Sequence, residues 1–288
     1  MSDQRWLADQ FETHRSRLKA VAYRMLGSSS EAEDAVQEAW LRLSRSDADN
    51  IDNLSRWLTT VVSRVSLDML RSRRSRSERT VPRVPDPVVS RRPESDPEQQ
   101  ALLADSVGLA LLVVLEELDP PERLAFVLHD MFGVPFKEIA EIVGRSPAAT
   151  RKLASRARAR VRGSPTEPDA DLPRQREVVE AFLAASRRGD FDALLDVLDP
   201  DCVLRADVGA VAASKIVRGA REVAEQAVLF SARAPYSEPA VVNGAAGLVV
   251  ERNGRLLTVM GFTVVEDRIV ALDILADTER LERLEISR

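Results

Sequence analysis

Between Arg145 and Arg162 the chain carries seven basic residues and no acidic one, and between Arg71 and Arg83 it carries six arginines against the single acid Glu78. Cationic groups set this densely suit the neutralisation of a polyanion, above all a row of phosphates. In the later stretch Arg151, Lys152, Ser155, Arg156 and Arg158 fall on one side of a narrow apolar stripe, Ala149, Leu153, Ala157 and Val161. Leading into the earlier one, Arg56, Trp57, Arg64, Arg71, Arg73 and Arg74 place an indole among guanidinium groups, a combination that stacks on a base while holding the backbone of a strand. Trp57 equally fits the helical spacing of a core residue. Other side-chain chemistry is scarce. With only His14, His129 and Cys202, neither an internal disulfide nor a Cys/His zinc site can form. A carboxylate-rich magnesium or calcium site stays open, but no metal site and no cofactor are expected.

The formal charge of −5 over 288 residues argues at first against a nucleic-acid partner. Divided, it reads differently. Met1 to Arg162 holds 26 Lys and Arg against 24 Asp and Glu, a balance of +2, whereas Gly163 to Arg288 holds 15 against 22, a balance of −7. The acidity belongs to the C-terminal part. The start, Met1 to Trp6, has no apolar signal core, and the longest apolar run, Leu109 to Leu115, is far short of the roughly 20 residues a membrane helix needs. A cytoplasmic protein without a membrane partner is expected.

The elements that must position these side chains follow from periodicity and punctuation. Two proline-rich polar stretches, residues 76–100 and 163–174, read as linkers, the first of them flexible. They separate a domain at 1–75, a second at 101–162 and a third at 175–284. In the first, Phe11 to Leu26 is a helix ended by Gly27, and Ser28 to Ser30 starts another that runs to Leu43. Val36, Ala39, Trp40 and Leu43 form its buried stripe, and Asp34, Gln37, Glu38 and Leu41 fall off it. After the polar loop Ser46 to Asn53, a third helix turns Trp57, Leu58, Val61, Val62, Val65 and Leu70 inward. In the second domain Asp119-Pro120-Pro121-Glu122 opens a helix. A short helix Pro135–Val143, the turn Gly144-Arg145 and a helix started by Ser146-Pro147 then make a helix-turn-helix.

Together, Ala32 to Leu43, Trp57 to Arg64 with Leu67 to Arg71, and Phe136 to Arg162 resemble regions two and four of the extracytoplasmic-function sigma factors, members of the sigma-70 family and promoter-specificity subunits of bacterial RNA polymerase. The resemblance covers about the first 160 residues and implies a role for each surface. Asp34, Gln37, Glu38 and Leu41 would meet core RNA polymerase. The loop Ser46 to Asn53 with Arg56, Trp57, Arg64, Arg71, Arg73 and Arg74 would read and open the minus-ten element, where a base must leave the stack at a cost of a few kcal/mol. Arg151, Lys152, Ser155 and Arg156 would meet the minus-thirty-five element; such side chains bind guanine edges and phosphates alike, so no promoter sequence follows from them.

The third block reads as α+β, with helices at Val178–Arg187, Phe191–Leu198 and about Arg221–Arg233. Antiparallel strands are placed near Cys202–Ala206, Ala240–Val242, Gly247–Arg252, Leu256–Val265 and Ile269–Ile274, with turns at Asn253-Gly254 and Glu266-Asp267. The runs Val179 to Leu183, Gly189 to Leu194, Leu198 to Val203, Arg218-Gly219 and Asp267 to Val270 resemble the SnoaL-like domain of the nuclear transport factor 2 (NTF2-like) superfamily, and with it the SigJ-type branch of these sigma factors. The fold class implied is multidomain: two all-α sigma domains and then a cone-shaped α+β domain. Three departures stand out. The branch's Asp followed by glycines is Asp207-Val208-Gly209-Ala210 here, its linker Trp-Leu-Pro-Glu-Pro is Arg83-Val84-Pro85-Asp86-Pro87, and its Asn-Pro-Asp-Lys is replaced by Ala276 to Arg280.

The resemblance implies an alternative sigma factor, not an enzyme, that directs promoter-specific initiation. Its C-terminal domain would tune it through an intramolecular contact with the sigma domains or their linker, and a separate anti-sigma factor is not required. Two other readings use the same residues. One is a one-component DNA-binding regulator. The other is an isomerase or cyclase with a DNA-binding appendage, in which Asp207, the candidate for a regulatory or pocket role, would be a general base in the cone. That block contains no histidine to assist it.

Overall fold

A computed structural model describes residues 2–46, 51–76, 83–91, 108–164, 171–209, 214–284 and 286–287. The chain divides into two compact units, Met1–Arg79 with Leu115–Arg162, and Thr80–Val114 with Gly163–Arg288. Residues 47–50 of the loop assigned to the minus-ten element, most of the first linker, 101–107 of the second expected domain and 165–170 of the second linker lie outside the described residues.

The first unit is helical. Helix α1 spans Ser2–Leu26, nine residues more at its N-terminus than the periodicity predicts, because before Phe11 the buried stripe is continued only by Leu7, one turn earlier in a largely polar run. Helix α2, Ser29–Leu43, starts as expected, with the Ser28 hydroxyl accepting the Glu31 amide. Its buried face is Ala32, Ala35, Val36, Ala39 and Leu43; Trp40 is only half-buried, its ring 5.1 Å from that of Phe11. Helix α3, Leu54–Arg76, is capped by Asn53, whose side-chain Oδ1 accepts the Arg56 backbone N–H at 2.9 Å. It buries Leu58, Val61, Val62, Val65 and Leu70 as predicted.

Helix α4, Leu109–Glu116, contains the boundary between the units, and α5, Pro120–Phe126, continues into a π-helical turn, Val127–Met131, that Gly133 ends at a positive φ. Helices α6, Phe136–Val143, and α7, Pro147–Arg162, form the helix-turn-helix, with Gly144 in the left-handed conformation between them and the Ser146 hydroxyl accepting the Ala149 amide. The inner face of α7 is Thr150, Ala154 and Ala157, rotated from the stripe read in the sequence. Thr150 can turn inward because its hydroxyl is satisfied by the Ser146 carbonyl at 3.0 Å.

In the second unit, the linker strand β1, Val89–Ser90, precedes α8, Leu172–Arg188, and α9, Phe191–Val197. Strands β2, Leu198–Asp207, and β3, Lys215–Arg218, lead to α10, Ala220–Leu229, and a 3₁₀ turn, Ser231–Tyr236. Strands β4, Ser237–Val242, β5, Ala245–Arg252, β6, Arg255–Val265, and β7, Arg268–Leu275, follow, then α11, Thr278–Leu281, and β8, Ile286–Ser287. The sheet has eight strands in the order β3-β2-β7-β6-β5-β4-β1-β8. It is mixed rather than antiparallel as expected, since β2 runs parallel to β7 and β1 parallel to β8.

The two faces of this sheet have different cores. Cys202, Leu204, Ala206, Leu248, Phe262 and Leu272 pack under Val179, Phe182, Leu183, Leu194 and Val223 of the helices. On the other face Val242, Val249, Val259 and Leu275 are covered by Val84 and Val89 of the linker, by Leu109, and by Leu281. The stretch expected to be flexible is therefore structured over 83–91. Prolines there suit an extended segment that needs no helical hydrogen bonds.

Burial pushes the Cys202 thiol up to about 12, helped by the charges of Asp199 and Asp273. A thiol reagent at about pH 8, where roughly one thiol in ten thousand would be ionised, should leave the native chain almost unlabelled and react fully once urea is added. Fast labelling of the native protein would contradict the burial.

Candidate functional site

The face of α2 away from its core carries Asp34, Gln37, Glu38 and Leu41 at i, i+3, i+4 and i+7, so these four residues share one stripe. Asp34 and Gln37 are exposed, Glu38 holds Arg42 at 2.9 Å, and Leu41 is 38% exposed.

The basic set of α3 is brought along one helix but not into one environment. Arg56, Arg64, Arg71 and Arg74 are exposed and Trp57 is half-buried. Arg71 pairs with Asp68 on its own helix at 3.6 Å. Arg73 differs: it is 19% exposed, both its terminal nitrogens donate to the Leu26 carbonyl at 3.2 Å, and it pairs with Glu31 and, at 3.6 Å, with Glu116. Arg123, 2% exposed, reaches the same Glu116 at 3.1 Å and the Arg24 carbonyl at 3.2 Å. Arg73 is thus built into the packing of this unit. The helical pattern could not show this, because the carbonyl at the end of α1 is invisible in the sequence.

On α7, Arg151, Lys152, Ser155 and Arg156 are all exposed and lie on adjacent turns. The Arg151 guanidinium sits 5.7 Å from the centre of the Phe136 ring, which itself stacks on His129. Arg156 and Arg160 both lie 3.7 Å from the buried carboxylate of Glu122, and Arg158 bonds Asp130 at 2.6 Å. Arg151, Lys152 and Ser155 are thus open to solvent, while the later arginines of α7 bond carboxylates of their own domain.

Asp207 occupies neither a free position nor the conical core. Alternation along β2 turns Ala206 toward the helices and Asp207 toward the linker. One oxygen of its carboxylate accepts the Val84 amide at 3.1 Å and the Arg280 guanidinium at 2.6 Å, and the other accepts the Gly209 amide at 3.2 Å. Arg280 also donates to Asp86 and to the Val84 carbonyl, each at 2.6 Å. Side-chain exposures are 16% for Arg280, 11% for Asp86 and 9% for Asp207. Gly209 is needed here: its φ is +70°, and a Cβ would stand 2.5 Å from the Asp277 carboxylate. The three segments that depart from the branch pattern therefore meet at one point, where Arg280 and the linker residue Asp86 join the Asp207 carboxylate. Both oxygens of the Asp207 carboxylate are thus engaged within this unit. Further along, the Asn243 side-chain Oδ1 accepts the Val88 backbone N–H at 3.0 Å, the Asn243 backbone N–H donates to the Val88 carbonyl at 2.8 Å, and Arg91 pairs with Glu238 and Glu251. The residues missed in the sequence are Arg280, Asp86 and Asn243. The only signal for the first two is that they lie in the departing segments, and Asn243 carries none.

No group of three or more potential metal ligands was found among the described residues, and no helix of theirs is long and apolar enough to cross a membrane.

Residues 10–76 match the Sigma-70 region 2 model and residues 108–161 the Sigma-70, region 4 model. The chain is 40% identical to the ECF RNA polymerase sigma factor SigJ of Mycobacterium tuberculosis, over 92% of this chain and 86% of that protein. It is 34% identical to the probable ECF RNA polymerase sigma factor SigI of the same species, over 95% and 94%. The crystal structure of SigJ superposes with a TM-score of 0.76 at 36% identity, covering 96% of this chain and 98% of that one. With helical sigma domains followed by a mixed-sheet domain, the chain belongs to the extracytoplasmic-function sigma factors of the sigma-70 family.

Proposed function

We propose that this chain works in the cytoplasm as an alternative sigma factor that is controlled from its own C-terminal domain by the hold of that domain on the linker. Core RNA polymerase meets the stripe Asp34, Gln37, Glu38 and Leu41. Arg56, Trp57, Arg64, Arg71 and Arg74 serve the minus-ten element, with Arg73 bracing the helix that carries them. Arg151, Lys152, Ser155 and Arg156 serve the minus-thirty-five element. The observation that carries the regulatory part is the Arg280 network, which fixes residues 84–86 of the segment joining the two sigma domains. A domain holding that segment limits how far regions two and four can separate. The same network argues against an enzymatic role for Asp207, since a general base must reach its substrate.

Transcription from a target promoter by core polymerase should be stimulated by the full chain and, to a different extent, by a chain truncated after Gly163. If neither stimulates, with folding and polymerase verified, the sigma reading fails; DNA binding without polymerase binding would favour a one-component regulator. Arg280→Ala strands two largely buried carboxylates, a type of change that costs about 3–5 kcal/mol. It should raise hydrogen exchange at Val84–Ser90 and shift transcription toward the truncated chain, and unchanged exchange would refute the dock. Replacing Arg151 and Lys152 by alanine should weaken binding to minus-thirty-five duplexes. The slope of log affinity against log salt should fall by about one for each phosphate that is no longer neutralised. An unchanged slope would remove these residues from the DNA face.

A further inference from the structure

Four of the five arginines assigned to the minus-ten element are met by region four. Arg56 lies 3.2 Å from Glu138 and 3.9 Å from Glu141, and Arg64 donates to the Glu141 carbonyl at 3.4 Å. Arg74 pairs with Asp119 and Arg73 with Glu116. The recognition helix is treated differently: among the described residues, the ion pairs of Arg156, Arg158 and Arg160 are with Glu122 and Asp130 of their own domain.

Helix α6 buries Ile139, Ala140 and Val143. Glu138 and Glu141 are therefore not required by its packing, and they are spaced i, i+3 on its other side. Two carboxylates a turn apart present negative charge to Arg56 much as successive phosphates of a strand would. Beside them a cavity of about 220 Å³ is lined by Arg17, Asn53, Arg56, Thr60, Phe132 and Glu138, so the two regions are apposed here without being sealed.

We propose that Glu138 and Glu141 act as an internal mimic of DNA phosphates, masking the minus-ten face of the free chain until DNA and polymerase displace them. This rests on the reading of Arg56 as a minus-ten contact. The mask is weak because it is exposed: Arg56 is 50% and Glu141 59% exposed, and such pairs change an equilibrium only a few-fold each. A polyanion that releases counterions on binding outcompetes them. Because the recognition helix is not masked in this way, the free chain is set to engage the minus-thirty-five element before the minus-ten element.

The test compares four full-length proteins: the natural chain, Arg56→Ala, the pair Glu138→Gln with Glu141→Gln, and all three changes together. Each is titrated at low salt with a fluorescent single strand of minus-ten sequence, after matched thermal melts confirm folding. The glutamine pair should tighten binding about three- to tenfold. Arg56→Ala should weaken binding in both backgrounds, less in the natural chain, where it removes the mask along with the strand contact, and the glutamine pair should give no gain once Arg56 is absent. If Arg56→Ala weakens binding in the glutamine background but the glutamine pair gives no gain over the natural chain, masking is overturned and the minus-ten reading stands. If Arg56→Ala has no effect in either background, the minus-ten role of Arg56 and the mask fall together. Hydrogen exchange over 54–60 and 136–143 gives a second readout: faster exchange in the glutamine pair supports separation of the two regions, and identical exchange contradicts it.

Discussion

The guanidinium of Arg280 is the constraint on which the C-terminal unit and its hold on the linker depend. It is bonded to Asp207 at the end of a central strand, to Asp86 in the linker and to the Val84 carbonyl. A planar fork can serve all three at fixed angles, which the rotatable ammonium of a lysine cannot. Taking these charges out of water offsets most of what their attraction contributes, so the group is better understood as setting position than as adding stability. The position it sets is the register in which Val84 and Val89 cover Val242, Val259 and Leu275.

In the helical unit the same logic appears again. Glu116 receives both Arg73 from α3 and Arg123 from α5, and the Leu26 and Arg24 carbonyls near the end of α1 are taken by those same two arginines. Arginine therefore has two uses in one domain, as a strut between helices and as an exposed group for a ligand. Sequence composition counts both alike.

That ambiguity marks the limit of what is legible in the sequence. The caps at Ser28, Asn53 and Ser146 and the turns at Gly27 and Gly144 are local signals, and the helices they delimit lie close to where the pattern puts them. The exposed stripe of α2 and the outer face of α7 follow from periodicity. Strands β1, β3 and β8 escape sequence reading because each is four residues or fewer and owes its conformation to a neighbour distant in the chain. The direction of β2 against β7 escapes it for a related reason: parallel pairing leaves no hairpin signal. Asp207 stands out in the sequence, but its partners Asp86 and Arg280 lie too far away along the chain for any spacing rule to join them. The acidic residues that meet α3 are hidden likewise, since Glu138 and Glu141 look like the ordinary polar side of a short helix.

The place of β1 in the sheet has a consequence for the birth of the molecule. Its neighbours are β4 and β8, and β8 is the last strand of the sheet in chain order. Translation at about 5–20 residues per second places roughly 6–25 s between the synthesis of Arg162 and that of Ser287. Over that interval regions two and four are both made and the hold on their connection is incomplete. Every copy therefore passes through a stage in which its promoter-reading half is made and its restraint is not, and that stage closes as Arg280 and then β8 are added.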